Sequence, residues 1–290
     1  MKTLTVRHAT VYSYAQPVSF GEHRLMFRPR DSHSMRLLET RLTISPPAKV
    51  RWLYDVFGNS IAIATFADQS AELRFESEIR LEHYGVTETD FPLDQRAGSY
   101  PFQYSSSELP DLMPSIEQRY PDPEGRLAAW VKTFYSGKPL DTQELLTGMT
   151  RAIREQLTYQ ARDQFGTQSP AETLASGTGT CRDYALLLIE AVRSLGLGAR
   201  FVTGYLYDVA TDNASAGLVG GAATHAWAQV YLPGAGWTEF DPTNGIVGGE
   251  NLIRVAVTRD PLQAVPLQGS FKGPGDVFTG MTVDVQVTAG

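Results

Sequence analysis

Residues 181–195 read CRDYALLLIEAVRSL, and on a helix their apolar side chains fall on nearly every side. Tyr184, Ala185, Leu186, Leu187, Leu188, Ile189, Ala191, Val192 and Leu195 leave little room for a solvated face. A surface helix carries one apolar stripe, whereas a helix apolar all round is enclosed. This segment is therefore expected to be buried on most faces, with Gly196 and Gly198 ending it. Cys181, the single cysteine among 290 residues, stands at its start, behind the glycine-rich approach SGTGT. Free cysteine packs as a small hydrophobe. At a helix N-terminus it is also where a thiolate is stabilised. The rest of the chain decides between packing and chemistry.

With 42% hydrophobic and 20% charged residues, the composition is that of an ordinary globular protein, and the length suits two domains or one large one. A net charge of −7, with no local cluster of Lys and Arg, argues against a nucleic-acid partner. One cysteine forms no internal disulfide, and zinc ligands are not grouped, so no metal or cofactor is expected. Asp208, Asp212 and Asn213 lack the ligand spacing of a calcium loop and read as an exposed turn. The first residues, MKTLTVRHATVYSYAQPV, alternate like a strand, without the apolar core of a signal peptide. No run approaches the roughly 20 apolar residues of a membrane span. The expectation is a cytoplasmic protein with a reduced thiol and no membrane partner; its oligomeric state is not specified.

Residues 1–86 read as β structure. Leu38, Thr40, Leu42 and Ile44 share one face of a strand, as do Leu73, Phe75, Ile79 and Leu81, and DVFGNS at 55–60 carries a turn. Several short strands without helical period suggest a β-sandwich-like domain. Residues 87–124 contain Pro92, Pro101, Pro110, Pro114, Pro121 and Pro123 and read as an extended connection. Residues 125–290 then form the second unit. It begins with helices at GRLAAWVKTFY and DTQELLTGMTRAIREQL, the latter capped by Asp141 or Thr142.

After the enclosed helix, ARFVTGYLY reads as a strand, and a Gly/Ala-rich loop at about 208–223 leads into THAWAQVYL. There His225, Trp227, Gln229 and Tyr231 alternate with Ala226, Ala228, Val230 and Leu232. PGAG at 233–236 is a turn, and WTEFDPTN is the returning strand. Residue 233 lies midway between His225 and Asp241, so the hairpin is expected to set these two side by side on adjacent strands. A carboxylate beside an imidazole fixes its tautomer and stabilises the imidazolium. Packed against the start of the Cys181 helix, the three groups form nucleophile, base and orienter.

The stretches GTGTCRDYALLLIEAVRSLGLGARFVTGYL, THAWAQVYLPGAGWTEFDPTNG and VAVTRDPLQAVPLQGSFKG resemble the bacterial transglutaminase-like proteins, a branch of the papain-like thiol enzyme superfamily. YSYAQPVSFGEHRLMFRPRD and YDVFGNSIA resemble the β domain that accompanies that core. The resemblance spans nearly the whole chain. It implies an α+β fold: an N-terminal β-sandwich-like domain, then a core whose Cys-bearing helix packs on an antiparallel sheet carrying His and Asp. It also implies Cys181, His225 and Asp241 as a catalytic triad. Arg182 stands where glutamine is common in the family, and Thr224 where serine often precedes the histidine.

The implied chemistry is attack of the Cys181 thiolate on an amide carbonyl to give a thioester, with His225 protonating the leaving amine and Asp241 holding the ring. The Cys181 backbone N–H is one oxyanion donor; Tyr159 and Trp227 are candidate oxyanion or cleft residues. The substrate is then a peptide or amide, and the reaction a peptidase or amidase hydrolysis. Transfer of the acyl group to an amine, as in a true transglutaminase, and a non-catalytic interaction module on the same scaffold are the alternatives.

Overall fold

The computed structural model describes residues 1–85, 92–162, 166–208, 218–219, 223–274 and 276–290. Six strands come first: β1 (Lys2–Phe20), β2 (His23–Leu25), β3 (Met35–Ser45), β4 (Ala48–Tyr54), β5 (Ser60–Phe66) and β6 (Ser70–His83). Then follow β7 (Ser99–Tyr100), α1 (Leu109–Ile116), α2 (Arg126–Lys132), β8 (Leu140–Asp141), α3 (Thr142–Gln156) and β9 (Thr158–Tyr159). Next are α4 (Pro170–Ser176), β10 (Thr178–Gly179) and α5 (Cys181–Ser194). The last strands are β11 (Ala199–Leu206), β12 (His225–Leu232), β13 (Gly236–Asp241), β14 (Ile246–Val247) and β15 (Leu252–Thr258), then β16 (Leu267–Gln268), β17 (Phe271–Lys272) and β18 (Phe278–Ala289).

The fold is α+β. In the N-terminal sandwich, one sheet centres on β1, β6 and β3, and the other runs β16-β2-β5-β4. Leu25, Ala62 and Ala64 of the second sheet close on Leu73 and Phe75 of the first. The alternation in β6 holds, with Leu73, Phe75, Ile79 and Leu81 all buried. In β3 it breaks once: the β3–β6 register shifts between Leu37 and Glu39. The extra residue turns Leu38 outward, and Leu37 packs in its place.

In the core, α5 is enclosed as its composition requires. Ala226, Ala228, Val230 and Leu232 of β12 cover one side, while Leu145, Leu146 and Met149 of α3 and Leu127 and Val131 of α2 join the same cluster. Each fully buried Leu or Ile contributes roughly 1.5–3 kcal/mol relative to exposure. The sheet itself is antiparallel, in the order β14-β13-β12-β11-β15.

Two expected boundaries are revised. Residues 92–124 are not a free connection but a strap fastened along the core. The Tyr100 hydroxyl donates to Leu195 O (2.7 Å), and Tyr104 donates to Tyr231 O (2.9 Å) while accepting from Gly198 N–H (2.8 Å). The core, in turn, does not run to residue 290. From β16 onward the chain returns to the N-terminal sheets: β16 pairs with β2, and β17 and β18 pair with β1. Val285 and Val287 of β18 bury beside Leu4 and Val6, so the chain's end covers an edge of β1 that would otherwise be open.

The sandwich and the core also share one apolar cluster, in which Leu4, Val6, Ile61 and Ile63 meet Tyr205, Ile253 and Val255. The DVFGN turn acts as a bracket across this junction. Asn59 donates to Val257 O (2.7 Å) and accepts from Val257 N–H (2.9 Å), while Asp55 holds the turn by accepting from Phe57 and Asn59 N–H.

Candidate active site

Three short structural decisions build the site. The first places the thiol. Thr180 caps α5, accepting from Asp183 N–H while the Asp183 carboxylate accepts from Thr180 N–H (2.8 Å) and its hydroxyl (2.9 Å). This reciprocal box is reinforced on the other carboxylate oxygen by Arg162 (3.0 Å) and Gln168 N–H (2.7 Å). Cys181 is thereby fixed as the first helical residue, buried, and its N–H is among those left without an intrahelical acceptor.

The second decision brings in Tyr159. Strands β9 and β10 pair in parallel, Gly179 opposite Tyr159, with Gln160 N–H donating to Gly179 O (3.0 Å). A Cβ at residue 179 would stand 2.9 Å from the Tyr184 ring, so only glycine lets the approach to Cys181 run this close. Burial, then the neighbouring Cys181, pushes the Tyr159 pKa up to about 12. Tyr159 is thus a protonated donor at neutral pH.

The third decision is the hairpin. Its pairs, from Ala228↔Phe240 to Leu232↔Gly236, centre on residue 234, not 233. Leu232 O accepts from Ala235 N–H (3.0 Å), and Gly234 takes φ 93°. Continued in register, Asp241 lies opposite Trp227, two residues from the level expected. The carboxylate nevertheless reaches the imidazole diagonally, an ordinary distance for same-face neighbours: His225 Nε2 is 2.9 Å from Asp241 Oδ2.

Both groups are fully buried. Burial alone would lower the His225 pKa; the Asp241 carboxylate, its hydrogen bond and the nearby Cys181 override it and raise it to about 10. Burial likewise opposes ionisation of Asp241, but the imidazole and the hydrogen bonds from Asn244 and Thr243 hold its pKa below the usual carboxylate range. With Nε2 committed to Asp241, Nδ1 is the nitrogen left open. It is buried and has no fully formed hydrogen bond, although Cys181 interacts with the ring. The structure thus brings Cys181, His225, Asp241 and Tyr159 together.

Trp227 is placed differently from the expectation. Its ring lies against His225 (centroids 5.9 Å apart, planes 26° apart), but its surface is wholly buried and its indole N–H donates to Glu239. With no exposed surface and its indole N–H committed to Glu239, it packs against the imidazole instead of offering an oxyanion donor. The loop expected at about 208–223 lies outside the described residues at 209–217 and 220–222.

Asn244 was not singled out from sequence. Asp241 Oδ1 accepts from Thr243 N–H (3.0 Å) and Asn244 N–H (3.3 Å), while Asn244 Nδ2 donates to Asp241 Oδ2 (2.8 Å). The same side chain accepts from Val219 N–H (3.0 Å), tying the carboxylate to the segment before His225. The only sequence signal was D-P-T-N itself, which reads as a turn. Asp241 is in fact both: a turn starter through one oxygen and the imidazole's partner through the other.

Residues 4–82 match the family model of the bacterial transglutaminase-like N-terminal region, and residues 128–242 that of the transglutaminase-like superfamily. The second span contains Cys181, His225 and Asp241. The chain is 28% identical over 292 residues to an uncharacterized protein of Mycobacterium leprae, covering 99% of both chains. It is 29% identical over 279 residues to an uncharacterized protein of Mycobacterium tuberculosis, covering 91% of this chain and 86% of that one. A crystal structure of a candidate cysteine protease from Cytophaga hutchinsonii shares the fold, with a TM-score of 0.74 at 18% identity over 99% of this chain and 90% of that one. With the bacterial N-terminal region ahead of a matching core, the chain belongs to the transglutaminase-like superfamily.

Proposed function

We propose that this protein is a thiol hydrolase that cleaves amide bonds through a thioester on Cys181. The observation that carries the reading is the setting of His225: Nε2 is bonded to a buried carboxylate, Nδ1 is buried and left without a partner, and the thiol at the start of α5 interacts with the ring. The reacting state is the ion pair in which His225 already carries the proton beside a Cys181 thiolate, and that thiolate adds to the amide carbonyl carbon. The oxyanion is met by the Cys181 N–H, with the Tyr159 hydroxyl as second donor. When the C–N bond breaks, the imidazolium returns its proton to the departing amine. Water then attacks the thioester, giving its proton to His225, and the free acid leaves as the thiol reforms. Asp241 keeps the imidazolium oriented throughout and does not itself take the proton.

The acceptor is proposed to be water. Bulk water outcompetes an amine unless orientation of that amine supplies much of the on the order of 7–11 kcal/mol available to well-positioned reactants. Among the described residues around the triad there is no acidic pair to steer an ammonium group; Asp183 and Asp241 are saturated by hydrogen bonds. The test supplies a glutamine-peptide thioester with excess labelled amine and separates free acid from amide product, while mass spectrometry follows the acyl adduct on Cys181. Free acid is the expected product. Dominant amide at millimolar amine would make the protein a transglutaminase, and absence of any Cys181 adduct would leave an interaction module.

A further inference from the structure

The N-terminal sandwich ends, on one side, in two edge strands joined by a short connection. β3 pairs only with β6, and β4 pairs only with β5, in an unbroken register from Ala48↔Phe66 to Tyr54↔Ser60. Natural edges are blunted by a bulge, a proline, short length or charged side chains, and of these β4 has only the last, in Lys49 and Arg51. β4 has seven residues, no proline and no bulge. Its apolar side chains are also unusually open: Val50 is 37% exposed, Trp52 45%, Tyr54 72%, and Val56 just beyond it 92%. Between the two edges lies a slot of about 280 Å³, where Val50 and Trp52 meet Leu25, Phe27 and Leu42. Guanidinium groups cover the aromatic faces, Arg28 5.6 Å from the Trp52 ring centre and Arg30 5.4 Å from that of Tyr54.

The charge at this edge has one sign. Lys49 and Arg51 project from the opposite face of β4, across from Thr65 and Ile63 on β5, so no carboxylate answers them. Among the described residues, no ion pair engages Arg28, Lys49 or Arg51. This is a cationic strand on a chain whose net charge is −7. A second copy is a poor occupant, because antiparallel pairing of two full β4 strands centres on Arg51 and sets that guanidinium against its own copy, and like charges directly opposite are destabilising.

We propose that the free edge of β4 docks an extended acidic segment of another polypeptide, one that alternates acidic and large apolar residues. Strand addition supplies main-chain hydrogen bonds, while alternate side chains supply the specificity. Since side chains point to opposite faces in turn, the partner's apolar residues enter the slot beside Val50 and Trp52. Its carboxylates fall beside Lys49 and Arg51. This surface is remote from Cys181, and the proposal stands whether or not the thiol chemistry does.

The experiment is fluorescence anisotropy with a labelled peptide alternating glutamate and leucine, set against the same peptide with lysine in place of glutamate. The expected result is saturable binding of the glutamate peptide to the intact protein, weakened at least about tenfold, or roughly 1.4 kcal/mol, by Trp52→Ser and by the double variant Lys49→Glu/Arg51→Glu. The lysine peptide is expected to prefer the charge-reversed double variant. Should a variant fail to fold, the contrast between the two peptides on the unmodified protein still decides. Equal binding of both peptides, no saturable binding, or binding indifferent to these substitutions overturns the proposal. So does a dimer of the unmodified protein that Trp52→Ser dissociates, since the occupant would then be a second copy.

Discussion

One buried charged pair sits on helix α5 near its C-terminal end and another, on strands β12 and β13, lies by its N-terminal end, and the two are built to opposite rules. At the C-terminal end, Glu190 and Arg193 pair at 2.8 Å with no exposed side-chain surface. The second Glu190 oxygen accepts from Arg119 and Tyr120 N–H, and the remaining Arg193 nitrogens donate to Ser115, Ala199 and Arg259 carbonyls. Nothing there is left to react. At the N-terminal end, His225 and Asp241 are equally buried, but one imidazole nitrogen lacks a hydrogen bond while Cys181 interacts with the ring. A buried polar atom left unsatisfied costs on the order of 1–3 kcal/mol, and functional sites are where such a cost persists. Full saturation is what a fastening requires; an unpartnered imidazole nitrogen in a ring that interacts with a thiol is what proton transfer requires.

The sharpest way to break this contrast is Cys181→Ala. Turnover of the thioester substrate is expected to vanish, a loss of several orders of magnitude as for other nucleophile deletions, while stability changes by no more than about 1 kcal/mol. Unfolding of this variant would make the thiol a packing residue. Arg193→Ala tests the other end. It strands a buried carboxylate, so urea denaturation is expected to show a loss of about 3–5 kcal/mol. The native-state alkylation rate of Cys181 by iodoacetamide should stay the same. Slower alkylation without loss of stability would mean the far pair serves the site after all.

Asn244→Ala probes the boundary between the two rules, since Asn244 fastens Asp241 yet touches no reacting atom. The expected effect is about tenfold in kcat, or roughly 1.4 kcal/mol, with KM unchanged. A change in KM alone would assign Asn244 to substrate binding.

How much of this was legible beforehand follows from what is local. The enclosure of α5 could be read because apolarity on all sides admits no other solution, and the thiol at its start because the glycine-rich SGTGT gives way there to the apolar run. The inward face of β6 followed from strict alternation. The two-residue displacement of Asp241 could not be read, because it depends on which residue of PGAG centres the turn, and several of them suit the position. The strap stayed hidden because proline marks where helices stop, not where tyrosine hydroxyls find distant carbonyls. The return of residues 278–289 to β1 could not be read, because a period of two declares a strand without naming its partner, here at the other end of the chain. Trp227 shares the parity of His225, and alternation alone does not say which of two buried layers a tryptophan enters.

The smallest effect separates the pairs by pH. The His225 pKa is raised from an ordinary 6.5 to about 10, so the folded state binds its proton more tightly than the unfolded chain does. That stabilisation is complete below about pH 6.5 and drains away as pH rises toward 10. Asp241 is lowered from 3.8, so its contribution is present above about pH 4 and lost as pH falls through its folded value. The pair therefore stabilises most between roughly pH 4 and 6.5. Replacing His225 with Gln removes the titration, and the difference in thermal midpoint between the natural chain and His225→Gln should be largest in that window. It should shrink by on the order of a few degrees toward pH 10. A guanidinium keeps its charge throughout this range, so the difference curve for Arg193→Ala should be flat over the same alkaline span. If His225→Gln gives the flat curve, the imidazole is not held as a cation by Asp241, and the two ends of α5 are fastenings of one kind.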